Sequence, residues 1–341
     1  NIAANGTLVV EEGSQFDART VTNAGAVTVN ASTFTAETVD NDGTMTVTGA
    51  STLAVSGNVS GNGFITMNGV TLDENTRLVG ANVQFIGGTN EIDNAVIDGN
   101  IFNVGFSKQS NIAPVSGVTV NVKNDSVIGS GGASYAGWVG GTYTNIDNVE
   151  GVEYTLNIKN SQASFGYLHV SADGNLNVTG HTSAANKYKY DGSTVDFYAG
   201  DFITNGVTTI DGADVWVKFT KVSVDTDGDT GPGQLVIKNG ANYEASLHNG
   251  STTGTALRIW KDGIIEVDNA TLFVRNESLI DTAAGQLNVK NGATFTAEGT
   301  ITNNGAISVA GSTFDAAELI TNNGSYVYAK FIYSGVCSSG I

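Results

Sequence analysis

Proline is nearly missing, with 2 residues in 341. Proline cannot donate its amide to a neighbouring strand, so its scarcity leaves almost the whole chain open to continuous backbone pairing. A single cysteine, Cys337, excludes an internal disulfide. It has no nearby His or Asp motif and is read as a tail thiol. Basic residues number 15 against 33 acidic ones, a formal net charge of −18. Phosphate recognition needs a basic patch, so nucleic acid is excluded as a partner, and an anionic membrane surface is disfavoured for the same reason. No apolar run approaches the ~20 residues of a membrane helix, so no direct membrane insertion is expected. No signal peptide is visible at Asn1. The chain opens in strand-like sequence and reads as a mature or excised fragment. The three histidines, His169, His181 and His248, lack metal-ligand spacing and are read as turn or surface residues.

What the chain has is glycine, in 44 copies, together with abundant Asn, Thr, Ser and Val, and apolar residues at 40%. Glycine does not fall at every third position, which excludes collagen. Apolar and β-branched residues recur in order, which excludes a disordered chain.

The order is a repeat. GTLVVEEGSQFDARTVTN from Gly6, GAVTVNASTFTAETVDN from Gly25 and GTMTVTGASTLAVSGNVSGN from Gly43 align with one another. They also align with GQLNVKNGATFTAEGTITNN from Gly285 and GAISVAGSTFDAAELITNN from Gly305. Successive glycines at 6, 25, 43 and 63 are 19, 18 and 20 residues apart. Within each unit apolar residues alternate, first at Leu8/Val10, Val27/Val29, Met45/Val47, Ile65/Met67, Leu287/Val289 and Ile307/Val309. A second pair follows at Phe16/Ala18, Phe34/Ala36, Leu53/Val55, Phe295/Ala297 and Phe314/Ala316, and a third site at Val21, Val39, Val59, Ile301 and Ile320. Alternation means short strands with one buried face, and three clusters per unit mean three strands per coil.

The fold expected is therefore all-β: a single-stranded right-handed parallel β-helix, or β-solenoid, of about 14–16 coils spanning 1–341. Coil lengths too uneven for a hexapeptide beat favour the right-handed form. Regular short coils fill 1–90 and 263–330, and the middle, 91–262, carries longer loops. Taking the second strand residue as anchor, coils centre near 10, 29, 47, 67, 85, 122, 158, 178, 210, 237, 267, 289, 309 and 328, with one or two more between 85 and 122. At ~4.8 Å per coil the rod is ~65–70 Å long. Asn23, Asn41, Asn62, Asn303 and Asn322 are expected to form an inward or turn-facing ladder. Asn-Gly pairs such as Asn62-Gly63, Asn239-Gly240, Asn291-Gly292 and Asn304-Gly305 should turn the chain through positive φ.

Two constellations could carry binding chemistry. Asp225, Asp227 and Asp229 alternate with Thr and Gly, a pattern that can wrap calcium, although Thr230 and Val236 stand where an EF-hand places Gly and Glu. The bland reading is a solvated acidic turn. Trp138, Tyr188, Tyr190, Tyr198, Trp216 and Trp260 fall in the irregular middle and could offer flat faces to a glycan or partner, or pack the longer turns against the coil. Segments 129–150 and 181–200 are the candidate specificity loops.

The G-x-Φ-x-V…F-x-A…Φ-x-N coil resembles the passenger domains of bacterial autotransporter adhesins, closely over 1–70 and 233–330. The resemblance implies a non-enzymatic scaffold displayed outside the cell at the bacterial surface, for adhesion to a host or neighbouring-cell protein or glycan, or for self-association. The alternative is a polysaccharide-acting β-helix lyase or hydrolase, which needs clustered carboxylates with Arg or Lys beside them. Here Arg19, Arg77, Arg258 and Arg275 are scattered.

Overall fold

The computed structural model describes residues 1–104, 117–129, 136–139, 153–180, 188–190, 193–226, 229–247, 254–322 and 325–330. Strands from Thr7–Glu11 to Tyr326–Lys330 belong to one 31-stranded sheet, and all of its pairings are parallel. The chain is a parallel β-solenoid, as its repeat predicts.

Each coil contributes a strand to three columns. The first column begins Leu8/Val10, Val27/Val29, Met45/Val47, Ile65/Met67 and Val83/Phe85. It ends Phe202/Thr204, Thr220/Val222, Leu257/Ile259, Ser278/Ile280 and Ile301/Asn303. The second begins Phe16/Ala18, Phe34/Ala36 and Leu53/Val55. From Ile92 it continues through Val122, Ile158, Val178, Ile210, Ile237, Val267, Val289 and Val309. The third runs from Val21 and Val39 to Phe197, Val215, Tyr243, Leu272 and Phe295. Nearly all of these side chains belong to one continuous buried core. Alternation within each short strand turns one row inward, and parallel register sets like on like.

The columns show a feature that the sequence alignment hides. Up to Phe85 the anchor residues lie in the first column; from Val122 they lie in the second. The repeat is the same in both halves, but it has advanced by one face of the coil. The Phe-x-Ala strand shows this directly: Phe34 stands in the second column and Phe295 in the third. The change happens within the coil that contains Arg77–Asp93. There a left-handed turn still follows the first column, at Gly88 (φ 64), and another already follows the second, at Asn94 (φ 53). Among the described residues no coil intervenes between 85 and 122, since Ile92 pairs directly with Val122. The register resolves fourteen levels, each near one predicted anchor.

Two physical needs explain the glycines. At Gly292 the φ of +79 with open space around it is the expected left-handed turn. At Gly43 the need is close approach: an added Cβ would lie 2.1 Å from the carbonyl oxygen of Gly25, one coil below. Gly63 and Gly305 repeat this contact and are not among the positive-φ residues, which corrects the turn role expected for Asn62-Gly63 and Asn304-Gly305.

The asparagine ladder is partial. Asn23, Asn41 and Asn303 are buried. The Nδ2 of Asn23 donates to Oδ1 of Asn41 at 2.8 Å, and Nδ2 of Asn41 donates to the Phe64 carbonyl at 3.3 Å. Asn62 and Asn322 are exposed. The last described coil has slipped by one residue: Ile301 sits on Leu319 rather than Ile320, so Asn322 donates to Asn304 instead of joining Asn303. On the outer side of the second column the signs of charge alternate from coil to coil, Asp211–Lys238–Asp268–Lys290. Parallel stacking would otherwise set like charges one above another.

Candidate functional site

Of the predicted site residues whose side chains are described, Tyr198 and Trp216 come together, and Trp260 lies apart from their cluster. Asp225–Thr226 pairs antiparallel with Asp229–Thr230 as a small hairpin. Asp227 and Gly228 lie outside the described residues, at its tip in the sequence. Asp-Gly between short strands is a strong hairpin signal. The described residues hold no cluster of three potential metal ligands. Trp138, Tyr188 and Tyr190 are described as strand backbone only. His181, His248 and Cys337 lie outside the described residues; His169 is buried. Trp260 is half-buried, with the Lys221 ammonium 4.0 Å from its ring centroid. The remaining two aromatics, Tyr198 and Trp216, are buried.

Tyr198 and Trp216 face outward from the third column, in register with each other. Outward residues of a solenoid are normally wet, yet these form a satellite core with Val195, their rings 5.7 Å apart. The cover comes from a second hairpin, Tyr188–Tyr190 against Ser193–Val195. Its sequence again places Asp-Gly, Asp191-Gly192, between the strands. The described part of segment 181–200, singled out as a specificity loop, pairs on itself in this hairpin, and its Val195 and Tyr198 pack with Trp216.

Beyond that edge the outer face opens into a groove of about 220 Å³. One side is the column Trp216–Glu244–Phe273; the other is Asp214–Asn242–Thr271. Coil spacing puts the two aromatic residues about 10 Å apart along the rod with a carboxylate between them. Glu244 is fixed through Oε1 by the Arg275 guanidinium at 3.2 Å, and the same guanidinium lies 5.4 Å from the Phe273 ring centroid. Nδ2 of Asn242 donates to Oδ1 of Asp214 at 2.7 Å. The chain matches no protein-family model, no curated protein and no solved structure.

Of its lining, the sequence singled out Trp216 alone. Glu244 and Phe273 lie 28 and 57 residues beyond Trp216 in coils of unequal length, so no fixed period marks them. Reading outward residues coil by coil along the third column is the signal that finds them.

A second groove of about 310 Å³ lies on the first column, between Thr255, Glu277, Thr300 and Glu318 on one row and Leu279, Thr302 and Ile320 on the next. Its Thr300 hydroxyl donates to Glu318 at 2.8 Å, so part of its polar lining is satisfied internally.

Proposed function

We propose that this chain is a non-enzymatic extracellular scaffold: an adhesin-like passenger segment that holds a recognition surface away from the bacterial cell, for adhesion or self-association. The observation that carries this reading is the division of labour along the rod. The coils at both ends repeat with minimal turns, while the added chain is concentrated in the middle, where a hairpin ending at Val195 packs on the outer face and borders a groove. Recurrent coils build stiffness and reach, and insertions on one flank carry specificity. The net charge of −18 opposes non-specific clustering of neighbouring rods. The repeat style shared with autotransporter passengers gives the same reading.

The test is retention. Beads carrying the intact chain are passed over cultured host cells and over beads of the same kind, with beads carrying an unrelated acidic protein as control. Retention on cells, or clumping of beads, above the control supports the scaffold reading; the absence of both overturns it. Incubation with uronate and neutral polysaccharides addresses the alternative: turnover that disappears with a single carboxylate replacement would make the protein an enzyme.

A further inference from the structure

The groove beside Trp216 has a consistent chemistry. The groups it leaves without a partner among the described residues are Oε2 of Glu244, Oδ1 of Asn242 and the Thr271 hydroxyl. Two of these three only accept hydrogen bonds. The ligand must therefore be rich in donors. It must also present apolar faces, because Trp216 and half-buried Phe273 line the wall. Two kinds of ligand meet both needs: a polyol ring, with hydroxyls at its rim and C–H faces, and an organic cation. The cation position is already filled from within. The Arg275 guanidinium neutralises Glu244 and lies against Phe273. A second cation there would meet Arg275, whereas an anionic sugar would meet Asp214.

We infer that the groove lined by Trp216, Glu244, Phe273, Asn242 and Thr271 binds one neutral sugar ring of a glycan. The ring lies along the aromatic side, and its hydroxyls donate to Glu244 and Asn242. At about 220 Å³ the groove is smaller than the ~300 Å³ at which pockets for drug-sized ligands begin, so it takes a single ring. A site this small gives dissociation constants on the order of millimolar. Useful adhesion then comes from many rods engaging many chain ends. This inference names the ligand class of the scaffold proposed above and rests on that reading.

The experiment uses the intact chain and the methyl glycosides of glucose, galactose, mannose and N-acetylglucosamine. Glucuronate and N-acetyl-lysine methylamide serve as anionic and cationic probes. Binding is followed by saturation-transfer NMR and tryptophan fluorescence. The inference expects at least one neutral glycoside to bind with a millimolar constant, and Phe273→Ala and Glu244→Gln each to weaken it tenfold or more. Thr271→Val, a near-isosteric change, should weaken it several-fold and leave the melting curve unmoved, which protects the test against a misfolded Phe273 variant. Binding of the charged probes alone overturns the inference, as does no binding at all, or binding unaffected by these three changes. If no glycoside binds while beads carrying the intact chain are still retained on cells, the sugar site falls and the scaffold reading stands.

Discussion

Replacing Phe34 by Ala should cost far more than the same replacement at Phe16. Phe34 is fully buried, with the Phe16 ring 4.9 Å away and nearly parallel on one side and Leu53 in register on the other. Burial of a phenylalanine removes on the order of 200 Å² from water, worth about 5 kcal/mol at 25 cal/mol per Å². A denatured chain that is itself partly compact brings this to about 3–4 kcal/mol, in line with Phe→Ala losses in packed cores. Phe16 is only partly buried and has a neighbour on one side, so about half that loss, 1.5–2 kcal/mol, is expected. The three tryptophans, Trp138, Trp216 and Trp260, all lie in the middle of the chain and would miss the N-terminal coils. The assay is therefore urea unfolding followed by far-ultraviolet circular dichroism, with hydrogen exchange over Thr33–Asn41 as the local readout. Equal losses for the two variants, or a loss below about 1 kcal/mol for Phe34→Ala, would refute the two-sided stacking of this core.

The other expectations test separate devices. Gly43→Ala puts a methyl group 2.1 Å from the Gly25 carbonyl and should cost about 3 kcal/mol or more. Gly292→Ala, in open space at φ +79, should cost only about 1–2 kcal/mol in the same thermal melts. Asn41→Leu removes the acceptor for Asn23 in a buried corner and should cost about 1–3 kcal/mol, whereas the exposed Asn62→Leu should stay within about 0.5 kcal/mol. Alkaline pH should loosen the rod. Burial, reinforced by Asp173, pushes the Tyr154 hydroxyl up to about 12. Lys123 and Lys290 are raised above their ordinary value, chiefly by hydrogen bonds to Glu91 and Glu266. Groups whose protons are held more tightly in the folded state stabilise it below their unfolded pKa values, about 10 to 10.4, and lose that contribution as pH climbs through the folded ones. Melting temperatures should fall between pH 10 and 12; a flat profile there would contradict these assignments.

Much of the coil was legible in the sequence because alternation reports burial locally: Val27/Val29 and Phe34/Ala36 announce two inward-facing strands without knowledge of the rest. The face each strand occupies was not. Val47 and Val289 hold the same place in the repeat pattern yet lie in different columns, because the three columns are all lined by Val, Ile, Leu and Phe and nothing in the local pattern distinguishes them. Gly63 and Gly292 both follow Asn, but one glycine answers a steric need and the other a backbone angle. The groove was least legible. It depends on register between coils of unequal length, and its hairpin cover was signalled only by the Asp-Gly of Asp191-Gly192.

The central claim is that the coils stay in parallel register while the repeat advances by one face. Two cysteine pairs in a Cys337→Ser background test it, using a thiol reagent that bridges about 5 Å, the distance between neighbouring coils. Glu91 stands in register with Asn121, its carboxylate accepting from Asn121 Nδ2 at 2.7 Å. The unshifted repeat would instead place Gln84, between Val83 and Phe85, over Asn121. Efficient bridging in Glu91→Cys/Asn121→Cys, with little in Gln84→Cys/Asn121→Cys, is the predicted result, and the reverse would contradict the account.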